Sequence, residues 1–191
     1  MKYLNFRKFS QVAFTFTIGM LILFASACKE STMDNVKEER PIRKSEIIAF
    51  QQAYGVSFNA ISNAIENESY YESAALKHIK QNYNFDEGEV MFKIGNDDSE
   101  DFRTTSEGLL SYLIGKNKNF TDDTGIANQN WRKIDWKNNG IINEGNLVIA
   151  IGVVKMESDK GKVHLQDYVM CLKRDKSGDL KLIAHKISSH C

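Results

Sequence analysis

The chain is 191 residues long, 42% hydrophobic, and its 25 basic side chains are matched by 25 acidic ones, leaving no net charge. Balanced charge without a basic stripe argues against nucleic acid as a partner. The region beyond the N-terminal segments is long enough to bury roughly two thirds of its unfolded surface, so it needs no disulfide or metal staple.

Lys2, Arg7 and Lys8 make a short basic start, and Val12 to Phe24 is an uncharged apolar run of 13 residues. A membrane span needs about 20 such residues, so the run suits a signal-peptide core instead. Ala25, Ser26 and Ala27 then lead to Cys28, and the string FASACK resembles the bacterial lipobox, whose cysteine takes a diacylglycerol thioether. Residues 1–27 are therefore expected to be a lipoprotein signal peptide, with Cys28 lipidated; an ordinary secretory peptide cut near Ala27 is the alternative. Acyl chains on Cys28 would anchor the protein to the cell envelope. Lys29 rather than Asp follows the cysteine, which points to the outer membrane. Residues 28–42 are polar and charged and read as a flexible tether, leaving 43–191 as one domain.

The first half of the domain is predicted helical. Ile47, Phe50, Tyr54, Phe58, Ile61 and Ile65 recur at three- and four-residue spacing, and Tyr71, Ala75, Ile79 and Tyr83 continue the period over 68–82. His78 falls beside that stripe, as a boundary or surface histidine would. EVMFKI (89–94) is a short strand, and 105–116 a short helix burying Leu109, Leu110, Leu113 and Ile114. The second half reads as strands over 131–137, 147–156, 163–175 and 180–189. Turn signals separate them at NNG (138–140), NEGN (143–146), ESDKGK (157–162) and KSGD (176–179). Helices followed by a meander give an α+β fold, with the helices on one face of a curved antiparallel sheet. The strand LVIAIGVVKM (147–156) is apolar on both faces, so its outer side is expected to meet a dry surface; a second copy of the chain is the natural candidate, and a covering segment of the same chain would also serve.

If the 176–179 turn closes a simple hairpin, Asp175 lies opposite Leu180, Met170 opposite His185, Tyr168 opposite Ile187 and Gln166 opposite Ser189. Alternation then puts His164, Gln166, Tyr168, His185 and Ser189 on one face with Met170, Leu172, Ile183 and Ile187. Val163, Leu165, Val169, Cys171, Leu182, Ala184 and His190 take the other. A bulge would reverse the assignment beyond it. Apolar walls with a few convergent polar groups describe a ligand pocket. The same register parts His164 from His190 and Cys171 from Cys191, which weakens a metal or disulfide reading. No zinc or EF-hand spacing occurs; NDDSED (96–101) lacks the loop glycine and closing Glu. GLLSYLIGK (108–116) misses the spacing of a phosphate loop, and no G-x-S-x-G elbow supports a hydrolase triad.

Four segments share one order and spacing: FRTTSEGLLSYLIG (102–115), DTGIANQNW (123–131), NNGIINEGNLVIAIG (138–152) and KRDKSGDLKLIAHKISS (173–189). Together they resemble an NTF2-like (SnoaL-like) family that includes the iota-class carbonic anhydrases, over about 45–189. Members often carry a phosphoribosyl-AMP cyclohydrolase label, but that zinc- and cysteine-dependent reaction finds no ligand cluster here. The resemblance implies a cone-shaped fold enclosing a pocket, a homodimer, and metal-free, cofactor-free handling of CO2 and bicarbonate by hydroxyl groups. Tyr112 matches the family's pocket tyrosine, and Ser188 or Ser189 its pocket serine. The family threonine falls on Gly95; Thr104 or Thr105 is the candidate substitute. His185 is the candidate base or proton shuttle, and Trp131 and Trp136 read as core. Two functions stay open: CO2 hydration on the cell envelope, or a non-catalytic module binding a small ligand or a protein.

Overall fold

The computed structural model describes residues 40–94 and 102–190; Cys28, Gly95 and Cys191 lie outside them, as do the signal peptide and most of the tether. Helix α1, Lys44–Glu66, turns its stripe of Ile47, Phe50, Tyr54, Phe58 and Ile61 into the core. Its start is fixed by a capping box, in which the Glu46 carboxylate accepts the Arg43 backbone N–H at 3.0 Å. Buried Ile42 and Ile47 occupy the two positions of a hydrophobic staple around that cap. The Arg43 N–H, then Arg174, hold the Glu46 carboxyl down at about 2.

Helix α2, Tyr71–Asn82, packs beside α1 and buries Ala75, His78, Ile79 and Asn82. Strands β1 (Met91–Ile94) and β2 (Phe102–Arg103) precede α3, Ser106–Ile114. A 3-10 turn at Ile126–Gln129 leads into β3 (Trp131–Glu144), β4 (Leu147–Ser158), β5 (Val163–Arg174) and β6 (Leu180–Ser189). The six strands form one sheet in the order β2-β1-β6-β5-β4-β3. The architecture is the expected α+β cone, with three helices on one face of a curved sheet.

Four details correct the sequence reading. The sheet is mixed: β3 to β6 form the antiparallel meander, but β1 runs parallel to β6, with Phe92 beside His185. Asn138–Gly140 is no turn; β3 runs through it with a bulge that bends the strand instead of ending it. The register of β5 against β6 is as expected from Gln166↔Ser189 to Cys171↔Ala184, but a bulge then pairs Leu172 with Leu182 and Arg174 with Leu180. Leu182 consequently enters the core, fully buried, and Ile183 leaves it half-buried. His78 is neither boundary nor surface but 1% exposed.

The core lies between the helices and the inner face of the sheet, where Val148, Ala150, Val154, Tyr168, Met170, Leu172 and Ile187 meet α1 and α3. Each large apolar side chain fully buried there contributes about 1.5–3 kcal/mol over remaining exposed. Outside, Ile151 and Leu165 stay exposed.

Candidate active site

Inside the cone lies a cavity of about 30 Å³. Phe58, Ile126, Ile134, Val154, Met156 and Ile187 form its apolar wall, and Tyr54, Tyr112, Trp136 and Gln166 complete the lining. A single water needs about 10–15 Å³ measured this way, so the space suits a molecule of very few heavy atoms.

Tyr112 is delivered by α3, and α3 is held at three points. Thr105 caps its N-terminus, the hydroxyl oxygen accepting the Gly108 N–H at 3.1 Å. Leu109 and Leu113 are buried beneath it. Ser111, beside Tyr112, donates to Asp123 at 2.5 Å. The Tyr112 hydroxyl is hydrogen-bonded to Gln166 on β5, and burial, reinforced by nearby Tyr54, raises its pKa. It is a neutral phenol, a donor rather than an anion.

His185 sits at the centre of β6, 3% exposed, between Met170 of β5 and Phe92 of β1. Its Nδ1 lies 2.9 Å from the Tyr83 hydroxyl, which lies 3.0 Å from that of Tyr54. Its Nε2 is buried without a partner. Burial holds the ring's pKa down to about 3 and pushes that of Tyr54 up to about 12. The phenyl ring of Phe92 lies close to both candidate site residues, 5.1 Å from Tyr112 and 5.4 Å from His185 by ring centroid.

A second histidine belongs to the same cluster. The His78 ring stands edge-on to Tyr54 at 4.5 Å, with Nδ1 2.8 Å from Ser57 Oγ and 3.2 Å from Asn82 Nδ2, and Nε2 buried without a partner. Burial first and His185 second lower its pKa to about 3. Trp136 also meets Tyr54 edge-on, at 5.6 Å, and lines the cavity. Trp131 is a core residue, 1% exposed, its indole N–H donating to the Ile126 carbonyl at 2.7 Å.

The fold therefore gathers Tyr112 and His185 around one buried cluster. Ser189 shares the inner side with Gln166, its partner across the sheet, but lies exposed at the end of β6. Ser188 pairs with Asp167 and takes the outer side. Thr105 is exposed and its oxygen is used as the helix cap. His164, half-buried, stacks near Trp131 at 6.0 Å, whereas His190 is exposed and reaches the outer-side Asp167 at 2.7 Å. By sequence, Tyr54 and Tyr83 read only as stripe residues and His78 as a boundary or surface histidine, because such a side chain on or beside an apolar helix stripe looks the same whether it packs or reacts.

A larger hollow of about 1080 Å³ lies between α1, α2 and the β5–β6 turn. It is open, walled by small residues such as Ala49, Ala53 and Ala60, and its Glu46 and Arg174 pair with each other at 3.0 Å. A molecule there would keep its water, so the smaller and more apolar cavity is the better place for chemistry. Among the described residues no group of three His, Cys, Asp or Glu side chains is placed to hold a metal ion.

The chain is similar to known proteins over most of the described residues. The family model described as metal-independent carbonic anhydrase matches residues 45–189. A curated metal-independent carbonic anhydrase of Nostoc sp. (strain PCC 7120) is 35% identical over 152 residues, covering 78% of this chain and 74% of the relative. The crystal structure of a cyanobacterial iota-carbonic anhydrase complexed with bicarbonate is 33% identical, with a TM-score of 0.76 over 80% of this chain and 95% of that one. An NTF2-like protein from Cytophaga hutchinsonii is more distant, at 13% identity and a TM-score of 0.47, with 78% of this chain and 100% of that one covered. By the extent of the family match and the identity to the Nostoc relative, the chain belongs to the metal-independent carbonic anhydrase family.

Proposed function

We propose that the chain catalyses the reversible hydration of CO2 to bicarbonate, without a metal, in the cavity beside Tyr112. The observation that carries this reading is a small, largely apolar space of about 30 Å³ lined by residues that carry neutral donors, in a chain of this family. An apolar wall receives CO2 from water at little cost, because CO2 carries no charge to desolvate. As water adds, negative charge develops on the carboxylate oxygens, and the Tyr112 hydroxyl and Gln166 amide are fixed donors able to meet it. His185, neutral near pH 7, offers an uncharged ring nitrogen rather than an imidazolium. Stopped-flow CO2 hydration by the chain, with and without chelator, tests the reading. Chelator-resistant turnover that falls 10²-fold or more in Tyr112→Phe is expected; wild-type protein with no turnover above buffer would overturn it.

Gly95 favours a second reading, a module that binds bicarbonate without converting it, since the family threonine is replaced there. Gly95→Thr separates the two. A gain in hydration rate supports an enzyme with reduced activity, and unchanged inactivity in a folded variant supports the binding module.

The cellular setting we propose is the bacterial envelope, the chain being anchored through lipid on Cys28 and acting as a homodimer. The FASACK string supports the anchor, and the apolar outer side of β4 supports the dimer. Cys28→Ala is expected to leave an uncleaved or mislocalised precursor; normal maturation of that variant would remove the anchor from the proposal.

A further inference from the structure

Three side chains from α1, the end of α2 and β6 form an unbroken hydrogen-bond chain: Tyr54 Oη to Tyr83 Oη at 3.0 Å, and Tyr83 Oη to His185 Nδ1 at 2.9 Å. All three are buried, at 7%, 2% and 3% exposure, and Tyr54 also lines the cavity. Neither hydroxyl has a fixed proton direction, so the chain can run two ways. In the first, Tyr54 donates to Tyr83, Tyr83 donates to Nδ1, and His185 carries its proton on Nε2. In the second, Nδ1–H donates to Tyr83, Tyr83 donates to Tyr54, and the Tyr54 O–H is left to find an acceptor elsewhere.

The two directions have the same charge and the same number of hydrogen bonds within the chain. Each strands one donor. In the first it is Nε2–H, which has no partner. In the second it is the Tyr54 O–H, unless the cavity holds an acceptor. An interior that disfavours both imidazolium and phenolate allows the chain to switch only between these neutral forms.

We propose that Tyr54 and Tyr83 are positioning residues that couple the tautomer of His185 to the occupant of the cavity. An oxyanion of the bicarbonate class, accepting from Tyr54, satisfies the stranded donor of the second direction alone. It therefore moves the His185 proton from Nε2 to Nδ1 and leaves Nε2 as a bare lone pair, a hydrogen-bond acceptor on a ring that stays neutral. With the cavity empty the two tautomers are close in energy. Removing one unsatisfied buried donor shifts their ratio by about tenfold or more. The inference rests on the bicarbonate reading of the cavity and adds what that reading does not contain, a means by which the ligand sets the state of a ring it need not touch.

The test is nitrogen-15 NMR of histidine-labelled full chain in detergent micelles, with the His185 ring resonances identified by their loss in His185→Gln. Binding is followed separately by carbon-13 bicarbonate line broadening. Added bicarbonate is expected to move His185 toward the Nδ1–H tautomer by about tenfold or more. In Tyr83→Phe, bicarbonate should still bind but leave the tautomer ratio unmoved, and Tyr54→Phe should likewise uncouple the two. Bicarbonate that binds without changing the wild-type ratio overturns the coupling alone. A shift that persists in Tyr83→Phe does the same. Wild-type protein that binds no bicarbonate overturns the cavity reading and the coupling together.

Discussion

Arg103 and Asp123 form an ion pair at 3.2 Å with both side chains less than a tenth exposed. The pair ties β2 to the segment before the 3-10 turn, and Asp123 also receives the Ser111 hydroxyl from α3. Tyr112 is thus placed through its helix neighbour Ser111, which is anchored to the buried Asp123 carboxylate. Removing one member of such a pair strands the other without water, at about 3–5 kcal/mol. Arg103→Ala is expected to lower stability by that amount in urea unfolding, and to reduce hydration activity in whatever fraction remains folded. A loss under about 1 kcal/mol would mean that Asp123 finds another partner.

Close approach of backbones makes the second prediction. A Cβ on Gly152 would lie 1.9 Å from the Lys137 carbonyl oxygen and 2.9 Å from the Tyr168 hydroxyl, whereas one on Gly140 would meet nothing within 4 Å. Gly152→Ala should therefore cost about 3 kcal/mol or more, the severe end of overpacking. Gly140→Ala should be near neutral. Thermal melts of the two variants side by side check the contrast.

His78 and His185 predict the acid response. Both are held at about 3 in the fold against an ordinary value of 6.5. Below pH 6.5 the unfolded chain takes up two protons that the native state refuses, so stability is complete above that pH and falls as pH drops toward 3. Each ring contributes a slope approaching roughly 1.4 kcal/mol per pH unit. Urea midpoints between pH 6.5 and 5 should show it, and His78→Gln should halve it. A flat profile in that window would show that the rings are protonated in place.

On the outer side of the sheet, Ile142, Ile149, Cys171 and Ala184 stand in one row across β3 to β6, with Ile151 and Val169 in the next. Ile151 is 46% exposed, whereas Val148, on the other side of β4, is fully buried. For the proposed homodimer, Ile149→Lys is accordingly the variant expected to give monomer or aggregate without emptying the core. Wild-type chain sedimenting as monomer at micromolar concentration would remove the dimer.

The amino-acid pattern carried most of the architecture. The apolar period of α1, the strand runs and the four-residue turn before β6 place Gln166, Tyr168, Met170, His185 and Ile187 on one inner face. Two bulges stayed hidden, because a bulge is one extra residue and leaves no trace in composition: NNG at 138–140 has the residues of a turn and is used for a bend, and Ile183 breaks an alternation that Leu182 would otherwise have failed. The parallel neighbour β1 was hidden as well, since four residues of EVMFKI cannot say which strand they will join. At the site, Tyr112 and His185 were legible through the family resemblance. Tyr54, Tyr83 and His78 were not, because their significance lies in contacts between α1, α2 and β6 that no spacing along one segment encodes.

β6 comes last in sequence among the described strands and is an internal one in the sheet, flanked by β5 and β1. During synthesis, β1 and β2 must wait without an edge to join until residues 180–189 leave the ribosome. The ring of His185, and with it the cavity wall at Ile187, cannot be in place before β6 docks. A message cut short before that strand therefore yields no partly working protein. It yields helices over an unfinished sheet that ends at an open β5 edge, a form suited to proteolysis or to capture of the missing strand from another copy.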